Sequence, residues 1–336
     1  MARRLAVVAA ALVDPHGRTV RDLRISITDR CNFRCTYCMP QEGMQWLPRH
    51  ELLSYEELTR IAKVCVERFG FGSIRITGGE PTVRAHLPVL IGRLADLGVD
   101  LSMTTNAATL DVLAADLRQA GLRRINISCD SLKPELFASI TGRDALPRVL
   151  SGIDAALAAG LDPVKVNCVV VRGVNDDEIE DFAAFGRERG VEVRFIEWMP
   201  LDGDGNWSGG QVMPATEIIE RIHAVFPLAG AEDGRGSMPA ERFAYADGNG
   251  RVGVVASVTQ SFCESCDRIR LTAEGQLRNC LFAVRECDLR AILRGGGSDD
   301  DVAAAIEAEV GRKWAGHSIG QVHFVRPHRS MSQIGG

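Results

Sequence analysis

The chain has 336 residues, 46% of them hydrophobic and 25% charged, and a formal net charge of -5. That length and balance fit a globular protein of one large domain, or a large and a small one, with enough apolar material for a real core. The acidic balance excludes general attraction to nucleic acid or to an anionic membrane, so an anionic ligand has to be met by locally clustered Arg and Lys.

Residues 1–11 read as an N-terminal extension, in which Arg3-Arg4 and the apolar run Leu5 to Val13 look like a short secretory signal. The run is short, lacks a cleavage-ready segment and leads through Asp14-Pro15-His16-Gly17 into the first strand, so secretion is not expected; no stretch is long enough to span a bilayer. Strands are predicted near 22–28, 73–78, 100–106, 124–130, 163–171 and 192–198, with helices near 54–69, 86–97, 111–120, 135–159 and 177–189. Six βα units imply parallel strands with right-handed crossovers, and six strands curl only part of the way round. The predicted fold class is α/β: an incomplete (β/α)6 TIM-like barrel over 12–233, then a smaller C-terminal α+β region over 234–336.

Just past the first strand, Cys31, Cys35 and Cys38 stand at C-x3-C-x2-C spacing on one loop. Iron–sulfur clusters normally take four cysteines and structural zinc four closed ligands, so three thiolates imply an open coordination position where a small molecule can bind. Zinc or structural thiols are the alternative reading of this spacing.

Alternation sorts the strand side chains into two faces. Leu23, Ile25 and Ile27 oppose Arg24, Ser26 and Thr28; Ile74 and Ile76 oppose Ser73, Arg75 and Thr77; Leu101 and Met103 oppose Ser102, Thr104 and Asn106. The polar face continues through Asn126, Ser128 and Asp130, then Lys165 and Asn167, then Arg194. Parallel strands buried on both faces read as continuous apolar runs, so this polar face is expected to line a cavity. Arg24, Arg75, Lys165 and Arg194 then point into it from four strands, and polyphosphate is the natural anion to neutralise them. Internal salt bridges to acids such as Asp130 are the alternative.

After residue 200 a turn-rich loop, a helix near 215–226 and the connector Gly234-Arg235-Gly236-Ser237 break the rhythm. A hairpin of 242–247 with 252–257 and helices near 288–294 and 299–313 follow. Cys263, Cys266 and Cys280 supply a second set of three thiolates, favouring a second cluster, with Arg268 and Arg270 on one side of a strand beside it. Cys287 keeps a four-cysteine zinc site open as the alternative. Cys65, Cys129 and Cys168 fall in apolar patterns and read as core, and none of the seven His residues pairs at metal-ligand spacing. Ten cysteines, six of them in two tight groups, do not make a disulfide scaffold in so long a chain and point to a reducing, cytoplasmic setting. The closing Gly335-Gly336, taken alone, reads as a frayed end.

Leu23-Arg24-Ile25-Ser26, Thr28-Asp29-Arg30-Cys31, Arg75-Ile76-Thr77-Gly78-Gly79-Glu80-Pro81, Arg194-Phe195-Ile196-Glu197, Phe262-Cys263, Arg268-Ile269-Arg270-Leu271-Thr272 and the Gly-Gly end together resemble one family. They resemble the GTP 3′,8-cyclases of molybdenum cofactor biosynthesis, members of the radical S-adenosylmethionine (SAM) superfamily, from about Leu12 to the C-terminus. The resemblance implies that Cys31, Cys35 and Cys38 hold a SAM-binding 4Fe-4S cluster, and Cys263, Cys266 and Cys280 a second one with its own open iron. It implies SAM contacts at Gly78, Gly79, Ser128 and the backbone around Tyr37 and Met199, the glycines letting backbone approach the methionyl group. GTP is implied between the clusters, its triphosphate among Arg24, Arg75, Thr104, Lys165, Arg194, Arg268 and Arg270. Catalytic roles are implied for Arg268, Arg270 and the tail residues Gly335 and Gly336, which would reach into the active site.

The implied reaction starts with a 5′-deoxyadenosyl radical that takes the hydrogen from C3′ of GTP; the C3′ radical adds to C8, and reduction yields 3′,8-cyclo-7,8-dihydro-GTP. A reducing electron donor, a downstream cyclic pyranopterin monophosphate synthase and a homodimer are the implied partners, with no nucleic acid and no membrane. The chain departs from the family at Ser73, where Lys is frequent, at Ala107, where Gly is usual, and at Cys129, where Leu is common; Ser73 implies one phosphate contact fewer. Two other readings compete: another radical SAM enzyme with an auxiliary cluster, and a non-catalytic iron–sulfur or zinc protein.

Overall fold

In the computed structural model, which describes residues 10–40, 44–322 and 324–335, the alternating strands all enter one sheet. β1 (Asp22–Ser26), β2 (Ser73–Thr77), β3 (Asp100–Thr105), β4 (Arg124–Ser128), β5 (Val164–Val170) and β6 (Glu192–Glu197) run parallel and in chain order. Between them lie α1 (Tyr55–Phe69), α2 (Leu87–Ala95), α3 (Leu110–Gln119), α4 (Pro134–Thr141), α5 (Leu146–Ala158) and α6 (Ile179–Arg189). Leu23, Ile25, Ile74, Ile76, Ile125 and Ile127 are fully buried in one core with the inward faces of these helices, each stabilising the fold by about 2 kcal/mol relative to exposure. Cys65, Cys129 and Cys168 belong to that core.

Each strand ends a residue or two before its alternation does, because the last residues turn into the loops that carry the site. The helix expected over 135–159 is two helices. Gly142 closes α4 in the left-handed conformation at φ 66°, and Pro147 occupies the first turn of α5, where its missing N–H costs nothing. Residues 1–9 of the N-terminal extension lie outside the described residues; Ala10 donates to the Arg68 carbonyl and Leu12 is buried. Among the described residues no helix is long and apolar enough to cross a membrane.

The C-terminal chain adds strands to both edges of the same sheet. After α7 (Ala215–Val225) come β7 (Leu228–Ala231), β8 (Glu241–Tyr245) and β9 (Arg251–Val255), and β9 pairs parallel with β6. β10 (Arg268–Leu271) pairs parallel with β1, with β11 (Gln276–Arg278) and β12 (Cys287–Asp288) outside it. The order β12-β11-β10-β1-β2-β3-β4-β5-β6-β9-β8-β7 describes an open barrel with extended edges. α8 (Leu289–Arg294), α9 (Asp299–Val310) and the short α10 (Met331–Ile334) complete the fold. The register sets Arg270 beside Arg24 and Arg24 beside Arg75.

Ala107, just past β3, adopts φ 59°, the region that favours glycine. Its neighbour Gly152 on α5 makes room for it: a Cβ at Gly152 would lie 2.4 Å from the Ala107 carbonyl oxygen. Helix propensity alone would make Gly152→Ala favourable by about 1 kcal/mol, whereas overpacking costs about 1–3 kcal/mol, at the upper end when the obstacle is backbone. We expect Gly152→Ala to lower the denaturant midpoint of unfolding; a raised midpoint would mean that the Ala107 loop yields without cost.

Candidate functional site

The C-terminal ends of the parallel strands, the segment between β9 and β10 and the tail enclose a cavity of about 300 Å³. Cys31, Cys35, Cys38, Cys263, Cys266 and Cys280 all line it, and all ten cysteines are free. Among the described residues no three His, Cys, Asp or Glu side chains converge on a point that could hold one metal ion. Cys287 pairs with Leu277 across β11 and β12 and is not on the cavity wall, so the four-cysteine alternative lacks its fourth ligand.

The turn after β2 holds the first thiol loop. Gly79 N donates to Thr28 O at 2.7 Å and Glu80 N to Arg30 O at 2.8 Å. A Cβ at Gly79 would sit 2.3 Å from Arg30 O, and one at Gly78, φ 151°, 2.6 Å from Thr28 O. Both glycines line the cavity, and among protein atoms the nearest obstacle to a side chain at either is the backbone of the thiol loop. The buried Glu80 carboxylate accepts from Thr82 N, Thr105 Oγ1 and Asn106 N, and burial raises its pKa against these bonds. Asn106, tied down in this way, donates to Asn32 Oδ1 at 2.7 Å and comes within 3.9 Å of Cys31 Sγ.

Tyr37 Oη donates to Asp130 Oδ2 at 2.7 Å, and Asp130 Oδ1 accepts from Val169 N at 2.8 Å. Burial nevertheless pushes Asp130 up to about 6, the Cys31 thiol to about 11 and the Cys38 thiol to about 12. These thiols keep their protons until a metal displaces them. Tyr37, Ser128 and Met199 share the wall with the two glycines, so all five residues expected around SAM come together. The second set differs electrically: burial alone would raise Cys266, but Arg268 and Lys313 outweigh it and bring the thiol down to about 7.

Arg24, Arg75, Thr104, Arg194, Arg268 and Arg270 line the cavity as expected, and Lys165 does not. Lys165 is buried off the wall, where desolvation and then Arg194 push it down to about 8. Arg194 pairs with Glu192 at 2.5 Å, so the salt-bridge alternative holds for that residue, while Asp130 is committed to Tyr37. Burial, then Arg24, drives Arg75 down to about 9, and burial lowers Arg24 and Arg270 as well. Arg24 Nε, Thr77 Oγ1, Asn167 Oδ1 and Arg268 Nη2 are buried without hydrogen-bond partners, each on a wall residue. Such orphaned groups mark a polar ligand's place. Asn167 was legible on the polar strand face; Thr77, also on that face, and Phe262, whose ring lies 5.1 Å from the Arg268 guanidinium, complete the wall. Ser73 stands between Asp22 and Asp100 in register, away from the wall.

The tail is not frayed at Gly335. That residue is buried at φ 84°, its carbonyl accepts from the Arg270 guanidinium, and a Cβ there would lie 2.5 Å from Thr77 Oγ1. Gly336 lies outside the described residues. Ser332, for which the sequence carried no signal, hydrogen-bonds the Cys38 sulfur.

A profile of the Radical SAM superfamily matches residues 25–186, and one described as Molybdenum Cofactor Synthesis C matches 191–319. The chain is 46% identical to a GTP 3′,8-cyclase of Streptomyces coelicolor, over 98% of this chain and 97% of that one. It is 47% identical to a GTP 3′,8-cyclase of Mycolicibacterium smegmatis, over 97% and 92%. Among solved structures it is similar in fold to SuiB of Streptococcus suis bound to its precursor peptide SuiA, with a TM-score of 0.60 at 14% identity over 87% of this chain and 68% of that one. It is likewise similar to native anSMEcpe with bound AdoMet, with a TM-score of 0.58 at 15% identity over 88% and 81%.

The depressed lysine gives the anion site a pH signature. Lys165 loses its proton as pH rises through about 8, and a polyanion bound in its field favours the charged form. Inorganic tripolyphosphate should therefore bind with proton uptake above that pH and more weakly as pH climbs further. Calorimetry in buffers of different ionisation enthalpy should show less uptake in Lys165→Met; equal uptake in both would assign the proton to another group.

Proposed function

The chain belongs to the GTP 3′,8-cyclase family of radical SAM enzymes, which catalyses the first step of molybdenum cofactor biosynthesis, and from that membership we propose how its own residues divide the conversion of GTP to 3′,8-cyclo-7,8-dihydro-GTP. The reading rests above all on two sets of three thiols that share one cavity with five guanidinium groups. Cys31, Cys35 and Cys38 hold the cluster that binds SAM; the free thiols, the Gly78-Gly79 cradle and the Asn106 contact to Cys31 fit it. Cys263, Cys266 and Cys280 hold a second 4Fe-4S cluster, which the low pKa of Cys266 and the wall position of all three support. When bound and reduced, the first cluster would supply the electron for the reductive cleavage of SAM.

The remaining work belongs to the side chains. Tyr37, Gly78, Gly79, Ser128 and Met199 hold SAM against the strand ends. Arg24, Arg75, Arg194, Arg268 and Arg270 neutralise the GTP triphosphate, with Thr104 and Asn167 as hydrogen-bonding partners and Lys165 acting through its charge from behind the wall. The orphaned atoms of Arg24, Arg268, Thr77 and Asn167 find their partners on the substrate. Gly335 holds the Arg270 guanidinium by its carbonyl, which supports catalytic roles for Arg270 and Gly335; we assign the same role to Arg268, on the wall beside Arg270, and to Gly336. A reducing donor has to deliver the electron, a cyclic pyranopterin monophosphate synthase takes the product onward, and a homodimer in the cytoplasm is the proposed working form.

Anaerobically reconstituted, reduced protein should form 5′-deoxyadenosine in a GTP-dependent way, with a cyclised nucleotide of unchanged base and phosphate count by mass spectrometry. It should carry about eight iron and eight sulfide per chain, falling to about four of each in Cys266→Ala. Deoxyadenosine formed without regard to GTP would overturn the substrate assignment, and one zinc with about four iron would overturn the second cluster.

A further inference from the structure

Two buried cations stand behind the second thiol set, and neither belongs to the wall that faces the substrate. Lys313, just past α9, is 4% exposed. Its Nζ donates to the Arg268 carbonyl at 2.9 Å and to the Asn279 carbonyl at 2.5 Å. Arg268 lies two residues after Cys266, and Asn279 immediately precedes Cys280. Arg18, in the turn before β1, donates from Nη1 to the carbonyls of Cys263 at 2.6 Å and Ala315 at 2.8 Å, and from Nη2 to that of Trp314 at 2.5 Å. The segment 313–316 is thus clamped against the thiol loop, where a Cβ at Gly316 would come 3.0 Å from Cys263 Cβ.

The two cations differ in one respect. Arg18 is neutralised by Asp14 at 2.5 Å. Both Lys313 bonds end on carbonyls, and the neighbouring acid Glu309 pairs with Arg312 instead. A buried ammonium without a carboxylate is costly unless another negative charge lies close by, and the groups in its field are the thiols of Cys266 and Cys280. The first thiol set has mixed surroundings: the buried carboxylates of Glu80 and Asp130 stand beside it, and the Arg34 guanidinium donates to the Cys31 carbonyl at 2.8 Å.

We propose that Lys313 is a positioning residue of the second cluster: it braces the backbone that carries Cys266 and Cys280 and supplies the positive charge that raises that cluster's reduction potential. Each added electron makes the cluster more negative, so a fixed cation nearby favours the reduced form. The inference rests on the two-cluster reading above.

The test is a potentiometric titration of the reconstituted two-cluster protein followed by electron paramagnetic resonance, with SAM added to mark the signal of the first cluster. In Lys313→Met the second cluster should become harder to reduce by roughly tenfold in its oxidised-to-reduced ratio at fixed potential, about 59 mV for one electron. The first cluster should stay unmoved, and Lys313→Arg should return the second toward the wild-type value. If Lys313→Met sheds its second cluster, retention at the wild-type potential in Lys313→Arg still carries the inference. A full iron complement with an unmoved potential in Lys313→Met, or loss of iron in both variants, overturns it while the two-cluster reading stands. Only about four iron in the wild-type chain overturns that reading and this inference together.

Discussion

Positive charges held side by side on the inner face of a parallel sheet govern how this structure is built. Arg270, Arg24 and Arg75 occupy neighbouring strands in register, and strands lie about 5 Å apart. At that spacing two unit charges repel by about 3 kcal/mol at an effective dielectric near 20. Arg194 has Glu192 as a partner, but the guanidinium groups of Arg24, Arg75 and Arg270 are all shifted toward the neutral form by burial. A closed barrel packed with aliphatic side chains has no place for them. The open barrel keeps a cavity into which these groups face, and that cavity is where both thiol sets emerge.

The two ends of the cavity are built by different means. At one end the thiol loop leaves β1 and is held by backbone bonds to the turn after β2, a contact close enough to demand glycine at two successive positions. Buried carboxylates orient this end: Glu80 ties the turn to the end of β3, and Asp130 holds the Tyr37 hydroxyl. At the other end the thiols flank β10, which joins the sheet beside β1, and buried cations brace their backbone. The two thiol sets thus sit in different electrostatic surroundings within one cavity.

The tail joins these ends. Its last turn sets Ser332 on the Cys38 sulfur and Gly335 between Thr77 and the Arg270 guanidinium, so chain from the far end of the sequence touches the first thiol loop and β10 at once. The position is held by the ion pairs of Arg329, just before this turn, with Glu274 and Glu286.

Local pattern carried much of this to the reader of the sequence. Period-two alternation separates Leu23, Ile25 and Ile27 from Arg24, Ser26 and Thr28 because successive side chains must point to opposite faces. Thiol spacing within a loop is likewise local, so both groups of three cysteines were legible before any fold. What pattern could not supply was the meeting of distant segments: β10 beside β1, Lys313 behind Cys280, Ser332 on Cys38, and the placing of Cys287 and Lys165 off the wall. The glycines after β2 also turn out to be needed by the close approach of Thr28 and Arg30, a contact that no local pattern shows. The sequence by itself determined the chemistry of the side chains and the face each strand turns inward, since both follow from residue type and backbone period; only the tertiary structure decided which of those groups share one cavity and which charges go unpaired in it, because that depends on strand order and register between parts of the chain hundreds of residues apart.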